Sequence, residues 1–372
     1  MKKIRPWIVF TLFQFASVGT VWLISTPEQQ AEYLAWFGIG TPQETPLERT
    51  PLNIGDIPYR SARHEIDPVY QCAPQTRSIK AVKESGVYRW VDETGETHFS
   101  DKPPGNVQAE NLTKQYASRE QYFTIKVTNR GKALPAYMQD HLATDTRQIY
   151  SVLSNQLKVS QLRQVDLNVN VFDNKNNFKQ FHRKVAPSLV SDNIAGFYSP
   201  SLNLVAIMRQ RNDDSTFATA RHEATHVIIA GLFGNIPTWF TEGMAEYFEQ
   251  MSISGQLKTI APNSYWLNLL RRQQRSRHLM SLNEYFQYDR KSWRAKDQDT
   301  MYATAWSLIY FLMDSKNGQI LLQQYMNELI SDRCQTINSK AFFAKNYRGG
   351  LQKLDQDWQR WLARGRYASH RF

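Results

Sequence analysis

The chain has 372 residues, a formal charge of +11, 41% hydrophobic residues and 21% charged residues. That length supports a substantial core and more than one folding unit, and the composition excludes a disordered or collagen-like chain. The positive charge is scattered apart from "RRQQRSRH" (271–278), and no glycine-rich phosphate loop, helix-turn-helix or zinc finger accompanies it, so nucleic acid is not an expected partner.

"MKKIRP" precedes "WIVFTLFQFASVGTVWLIS" (7–25), nineteen residues without a charge and just long enough to cross a hydrocarbon core. With Lys2, Lys3 and Arg5 held in the cytoplasm, everything after this segment is exported. Residues 1–26 are therefore expected to be an N-terminal membrane anchor in the inner membrane; the alternative is a signal peptide cut near Ser17 and Gly19. The apolar run continues past those residues through "TVWLI", which favours the anchor. Either way the expected location of the rest is outside the cytoplasm. Two cysteines, Cys72 and Cys334, are too few and too far apart for a zinc site or redox pair, and leave one disulfide between them as an open alternative. Any metal must be held by histidines and carboxylates.

Residues 27–80 are rich in Pro, Thr, Gln and charge, show no sustained periodicity and read as a linker. "GVYRWVDETGETHFSDKPP" (86–104) then alternates as a strand, turns at "DETG", returns along "ETHFS" and stops at "DKPP". This small β-hairpin domain, 81–115, resembles a domain of unknown function common at the front of bacterial envelope proteins. The likeness rests on Tyr88, Trp90, Asp92, Gly95, Ser100, Asp101, Pro103 and Pro104. It implies a bacterial envelope setting and no chemistry.

The larger domain, 118–368, begins with a strand candidate at 121–129, helical spacing over 133–159 and a strictly alternating strand at 165–172. "GFYSPSLNLVAIM" (196–208) reads as a hairpin, and helices are expected over 214–231, 238–251, 262–272, 301–314, 318–331 and 351–364. Strands first and helices afterwards point to the α+β class.

Between them lies "RHEATHVIIAGLFGNIPTWFTEGMAEYFE" (221–249). Asp214 or Ser215 is a reasonable N-cap for its helix, and Gly231 with Gly234 a reasonable end. His222 and His226, four residues apart, share a helix face about 6 Å apart along the axis, so both imidazoles can reach one ion. Glu223 leans towards the same cleft and can exchange a proton with water and a leaving amine. Glu242 starts a second helix after "NIPTW" and can return as a third ligand, while Glu246, one turn on, is suited to accept a hydrogen bond from a ligand histidine. The bland alternative, an amphipathic helix with two surface histidines, makes no demand on the residues after it.

His-Glu-x-x-His followed by Trp-x-x-Glu-Gly-x-Ala is similar to the gluzincin zinc metallopeptidases, the clan of aminopeptidase N and thermolysin, and most to its small bacterial peptidase-like members. The resemblance implies a zincin-like domain, a small mixed sheet followed by a mainly helical half. It implies one Zn2+ held by His222, His226 and Glu242, with Glu223 as catalytic base. "MYATAWSLIYFL" (301–312) is similar to the clan's Tyr-x-x-Gly segment and implies Tyr302 as donor to the oxyanion, with Ala305 in place of the glycine. The acidic residue that holds a substrate amine in aminopeptidases has no counterpart in "SPSLNLVAIMRQRNDD" before Asp213, so a typical aminopeptidase is not expected. The strand "LNLVAIM" is instead expected to pair with an extended substrate. The function read here is hydrolysis of peptide bonds in the bacterial envelope. The alternatives are an inactive binding or scaffold protein retaining the zinc fold, or a zinc hydrolase acting on peptidoglycan.

Overall fold

The computed structural model describes residues 88–92, 97–100, 105, 108–111, 119–131, 134–158, 161–185, 194–199 and 202–372. The expected membrane segment at 7–25, the linker at 27–80 and Cys72 lie outside them. Among the described residues no helix is long and apolar enough to cross a membrane.

The small front domain contains the expected hairpin and one strand more. β1 (Tyr88–Val91) pairs antiparallel with β2 (Thr97–Ser100) on one side and with β3 (Glu110–Asn111) on the other. Register places Trp90 opposite His98, whose rings stack at 5.4 Å. Asp92 Oδ2 lies 2.6 Å from His98 Nε2, which fixes the ring under the tryptophan.

The larger domain is mixed α/β. Its sheet has the order β4-β5-β7-β6, built from β4 (Phe123–Asn129), β5 (Val165–Phe172), β6 (Gly196–Ser199) and β7 (Leu204–Met208). β4, β5 and β7 run parallel and β6 runs antiparallel to β7. Parallel neighbours need crossover helices; α1 (Ala136–Ser154) joins β4 to β5, and α2 (Lys175–Val185) follows β5. The alternation of "VDLNVNVF" divides its two faces. Val165, Leu167, Val169 and Val171 enter the main core, whereas Phe172 packs with Phe178 of α2 and Phe197 of β6 in a small second cluster. β7 is hydrogen-bonded on both sides, so "LNLVAIM" is an interior strand without the open edge that the expected pairing with an extended substrate needs; the terminal strands are β4 and β6.

α3 (Asp213–Phe233) lies across this sheet and is buried nearly all round, with Phe217, Val227, Ile228, Ile229, Leu232 and Phe233 distributed over every face. Its N-cap is Asn212, two or three residues before the expected Asp214 or Ser215, and Asn212 Oδ1 accepts from the Asp214 N–H at 2.8 Å. Gly231 does not end the helix. A Cβ there would meet Val165 Cγ2 at 2.7 Å, so the residue lets α3 settle on β5, and Gly234 at φ +84° is the stop.

α4 (Thr238–Glu249) comes after the short turn at 234–237. It leads into β8 (Met251–Ser254) and β9 (Leu257–Ile260), which β10 (His370–Arg371) extends to a three-stranded sheet. The rest is helical: α5 (Ser264–Arg275), α6 (Leu282–Tyr285), α7 (Arg290–Arg294), α8 (Gln298–Met313), α9 (Lys316–Ser331), α10 (Ser339–Asn346) and α11 (Gly350–Ala363).

Candidate metal centre

Two buried helices bring the expected ligands together. His222 and His226 on α3 are 0% and 2% exposed, which rules out two surface histidines on an amphipathic helix. Their rings stand 4.9 Å apart and nearly perpendicular. One oxygen of Glu242 on α4, Oε2, lies 3.7 Å from His222 Nε2 and 3.5 Å from His226 Nε2. One donor atom from each of the three residues falls within 4.8 Å of the others. A tetrahedral ion about 2.0–2.1 Å from each ligand would hold them about 3.3–3.5 Å apart, which the two distances to Glu242 Oε2 nearly match. Two imidazoles and one carboxylate are a donor set that suits such an ion, and three protein ligands leave a further position open.

The turn between the helices is rigidly held. Gly234 has φ +84°, and a Cβ there would stand 2.6 Å from Arg333 O, so both the turn and the close approach call for glycine. Arg333 donates from Nε to Leu232 O at 3.1 Å, capping the end of α3, and Asn235 N–H donates to Arg333 O at 2.7 Å. Trp239, in the first turn of α4, donates its indole N–H to Ser339 Oγ at 2.8 Å inside an aromatic cluster with Phe286, Tyr325 and Phe343. Both entrances to the site are therefore fastened to the helical half.

Behind His222 lies an arrangement only partly evident from the sequence. Glu242, Glu246 and Glu249 stand at i, i+4 and i+7 and line one face of α4. Glu246 is buried and its Oε1 approaches His222 Nδ1 to 3.8 Å, but its other oxygen accepts the Trp266 indole N–H at 2.7 Å. The oxygen at hydrogen-bonding distance from His222 Nδ1 is Glu249 Oε2, at 3.3 Å. Glu246 thus shares a role that falls mainly to Glu249. Arg221, next to the first ligand, fixes Glu249 in turn: its Nε and Nη2 donate to Glu249 O at 3.0 and 2.9 Å. Its Nη1 donates to the buried Asp145 of α1 at 2.7 Å. The signal for Glu249 was its i+7 spacing from Glu242; Arg221 and Asp145 carried no local signal.

The electrostatics reflect this crowding. Burial alone would lower the His222 pKa, but Glu242, Glu249, Glu246 and Glu223 together hold it well above its ordinary value. Burial, reinforced by the neighbouring Glu249, pushes Glu246 up to about 8. Four carboxylates and a buried imidazole gathered here favour a bound cation, whether protons or a metal.

Glu223 is buried on α3, directly under the terminal strand β6. A Cβ on Gly196 would meet Glu223 Cγ at 3.0 Å and Thr219 Cγ2 at 2.7 Å, so the glycine allows β6 to lie against the glutamate. Tyr302 sits on α8, partly buried, with its ring edge-on to Trp293 at 5.1 Å. Trp293 donates to Tyr285 Oη at 3.2 Å, and Tyr285 Oη donates to Met301 O at 3.0 Å, which secures this end of α8. α8 packs on α4 where Gly243 meets Ala305: a Cβ on Gly243 would stand 2.6 Å from Ala305 O. Tyr302 is therefore one turn from the contact next to Glu242. The glycine at 243 is what this close approach requires.

A family model described as a protein of unknown function (DUF1570) matches residues 216–331, which contain the three candidate ligand residues and Tyr302 but less than half of the chain. A second, described as a domain of unknown function (DUF4124), matches residues 81–119, the small front domain. No curated protein matches the chain.

Proposed function

We propose that this chain is a zinc-dependent peptidase of gluzincin type, acting on peptides or proteins in the bacterial envelope and held to the inner membrane by residues 7–25. The observation that carries the reading is one oxygen of Glu242 poised between His222 Nε2 and His226 Nε2, with buried Glu223 on the same helix. His222, His226 and Glu242 would hold the ion. Zinc bound there would supply Lewis acidity, polarising a carbonyl and making water a better nucleophile near neutral pH.

Glu223 is the proton acceptor in this reading: it takes a proton from the attacking water and delivers it to the departing amine. β6, terminal in the sheet and lying against Glu223, can align an extended backbone beside the base. Tyr302 is assigned the oxyanion donor on the strength of its place on α8 and the Tyr-x-x-Ala pattern. Asp213, the first acid after β7, opens α3 and forms an ion pair with Arg209 at 3.5 Å, so it is engaged in the fold and no amine-binding role is assigned to it. A retained base beside a complete ligand set favours an active enzyme over an inactive scaffold.

Metal analysis of the purified full-length chain, combined with cleavage of a peptide library before and after chelation, tests the proposal. One zinc per chain is expected, with cleavage that chelation abolishes and zinc restores. A folded chain that binds no zinc overturns it.

A further inference from the structure

A groove away from the metal centre runs through the helical half, between α9 and the pair α10 and α11. Its larger part has a volume of about 1220 Å3 and its smaller part about 520 Å3; both are lined by Gln324 and Asn346, so the two parts adjoin. No residue of α3 or α4 lines either part.

The groove is specified by backbone that tolerates only glycine. Gly349 and Gly350, at φ +91° and +74°, turn the chain from α10 into α11 and bring Arg348 to the rim. A Cβ on Gly318 would stand 2.1 Å from Leu312 O, so the glycine permits α9 to fold back tightly on α8. These two turns aim the N-termini of α9 and α11 at the same channel, which Ser315, Asn317, Gln352 and Lys353 line.

Its chemistry is amide-rich and cationic. Asn317, Gln324, Asn346, Gln352 and Gln356 can each both donate and accept hydrogen bonds. Arg348, Lys353, Arg360 and Arg364, with Lys345 in the smaller part, line the channel beside three carboxylates, Glu328, Asp314 and Asp357, of which the last two are already engaged. Asp357 accepts from Lys353 at 2.6 Å, Tyr347 at 3.0 Å and Arg360; Asp314 accepts from the Trp361 indole at 3.0 Å and lies 3.9 Å from Arg364. The excess of two positive charges, with two helix N-termini, favours an anion. An extended peptide is the weaker fit, because the walls are helices and offer no strand edge for its backbone. Amides in series along a channel suit the adjacent hydroxyls of a sugar chain.

We propose that this groove binds an oligosaccharide bearing carboxylate groups. The inference stands on the groove alone and does not rest on the peptidase reading.

The test is binding of oligogalacturonates to the purified full-length chain, beside neutral chito-oligosaccharides of equal length, polyglutamate and inorganic polyphosphate. Oligogalacturonates are expected to bind, at least about tenfold tighter than the neutral sugars. Arg348→Ala with Lys353→Ala should weaken them about tenfold, as should Gln324→Ala with Gln352→Ala, whereas Glu223→Gln should leave them unchanged. Absence of oligogalacturonate binding, or equal binding by both double variants, overturns the proposal. Polyglutamate or polyphosphate binding as tightly as the sugar also overturns it, marking a general anion surface.

Discussion

His222 Nδ1 lies 3.3 Å from Glu249 Oε2, and Arg221, the residue before that histidine, grips the Glu249 backbone carbonyl with two N–H groups. A ligand imidazole whose far nitrogen is held by a carboxylate has its tautomer and its ring orientation set, with Nε2 left for the metal. Glu249→Gln is therefore expected to weaken zinc binding about 10–100-fold in a chelator competition titration. Glu246→Gln should cost less, because Trp266 holds the carboxyl of Glu246 away from the hydrogen-bonding position. Equal losses in the two variants would mean that both carboxylates orient the ring alike.

Gly243→Ala tests the contact between α4 and α8. The added methyl would meet Ala305 O at 2.6 Å and Ile309 Cγ1 at 2.9 Å, and a carbonyl in a helix has little room to move. The expected cost is about 1–3 kcal/mol in denaturant unfolding, with weaker zinc binding because Glu242 is the preceding residue. Unchanged stability would show that the helices separate without strain.

Much of this site was legible because helical periodicity is local. His222, Glu223 and His226 needed only 3.6 residues per turn, and Glu242 needed only a chain break and then a second helix. β5 matched its alternating pattern at Val165–Phe172 because Val165, Leu167, Val169 and Val171 enter the core while Asp166 and Asn168 on the other face are only partly buried. The parallel pairing of β4, β5 and β7 was not legible, since pairing between distant segments leaves no local trace. α2 escaped notice because Phe178 and His182 are its only buried residues. The β8–β9 hairpin was not legible, and the helix expected over 238–251 overran Glu249 by two residues, because four-residue strands are too short to display a period. Gly231 misled in the opposite way: a glycine selected for close packing on Val165 looks the same in sequence as a helix stop.

The metal-free site should hold protons that zinc displaces. Both His222 and Glu246 are raised above their ordinary values, Glu246 to about 8. Raised groups contribute stability that is complete below the unfolded pKa and lost as pH rises through the folded one. The Glu246 contribution should therefore be lost between about pH 5 and 8 and that of His222 from its ordinary value upward, while zinc, which needs neutral His222, binds more tightly as pH rises. Thermal unfolding with zinc and with chelator should give a gap in Tm that widens with pH across this window. A gap that narrows would contradict the assignment of these protons to the site.

Tyr302→Phe keeps the ring that packs on Trp293 and removes only the hydroxyl. If that hydroxyl donates to the developing oxyanion, kcat should fall about 10²–10³-fold with KM little changed. An unchanged kcat on a cleaved peptide would move the donor role elsewhere.

The most direct test of the zinc peptidase mechanism is kcat/KM for Glu223→Gln on any peptide the wild type cleaves, with zinc content measured on the same samples. Glu223 is buried on the helix of both histidine ligands but is assigned no ligand role itself. Full zinc occupancy is expected, with a loss of at least about 10²-fold in kcat/KM. A variant that keeps its zinc and cleaves like the wild type would contradict that mechanism.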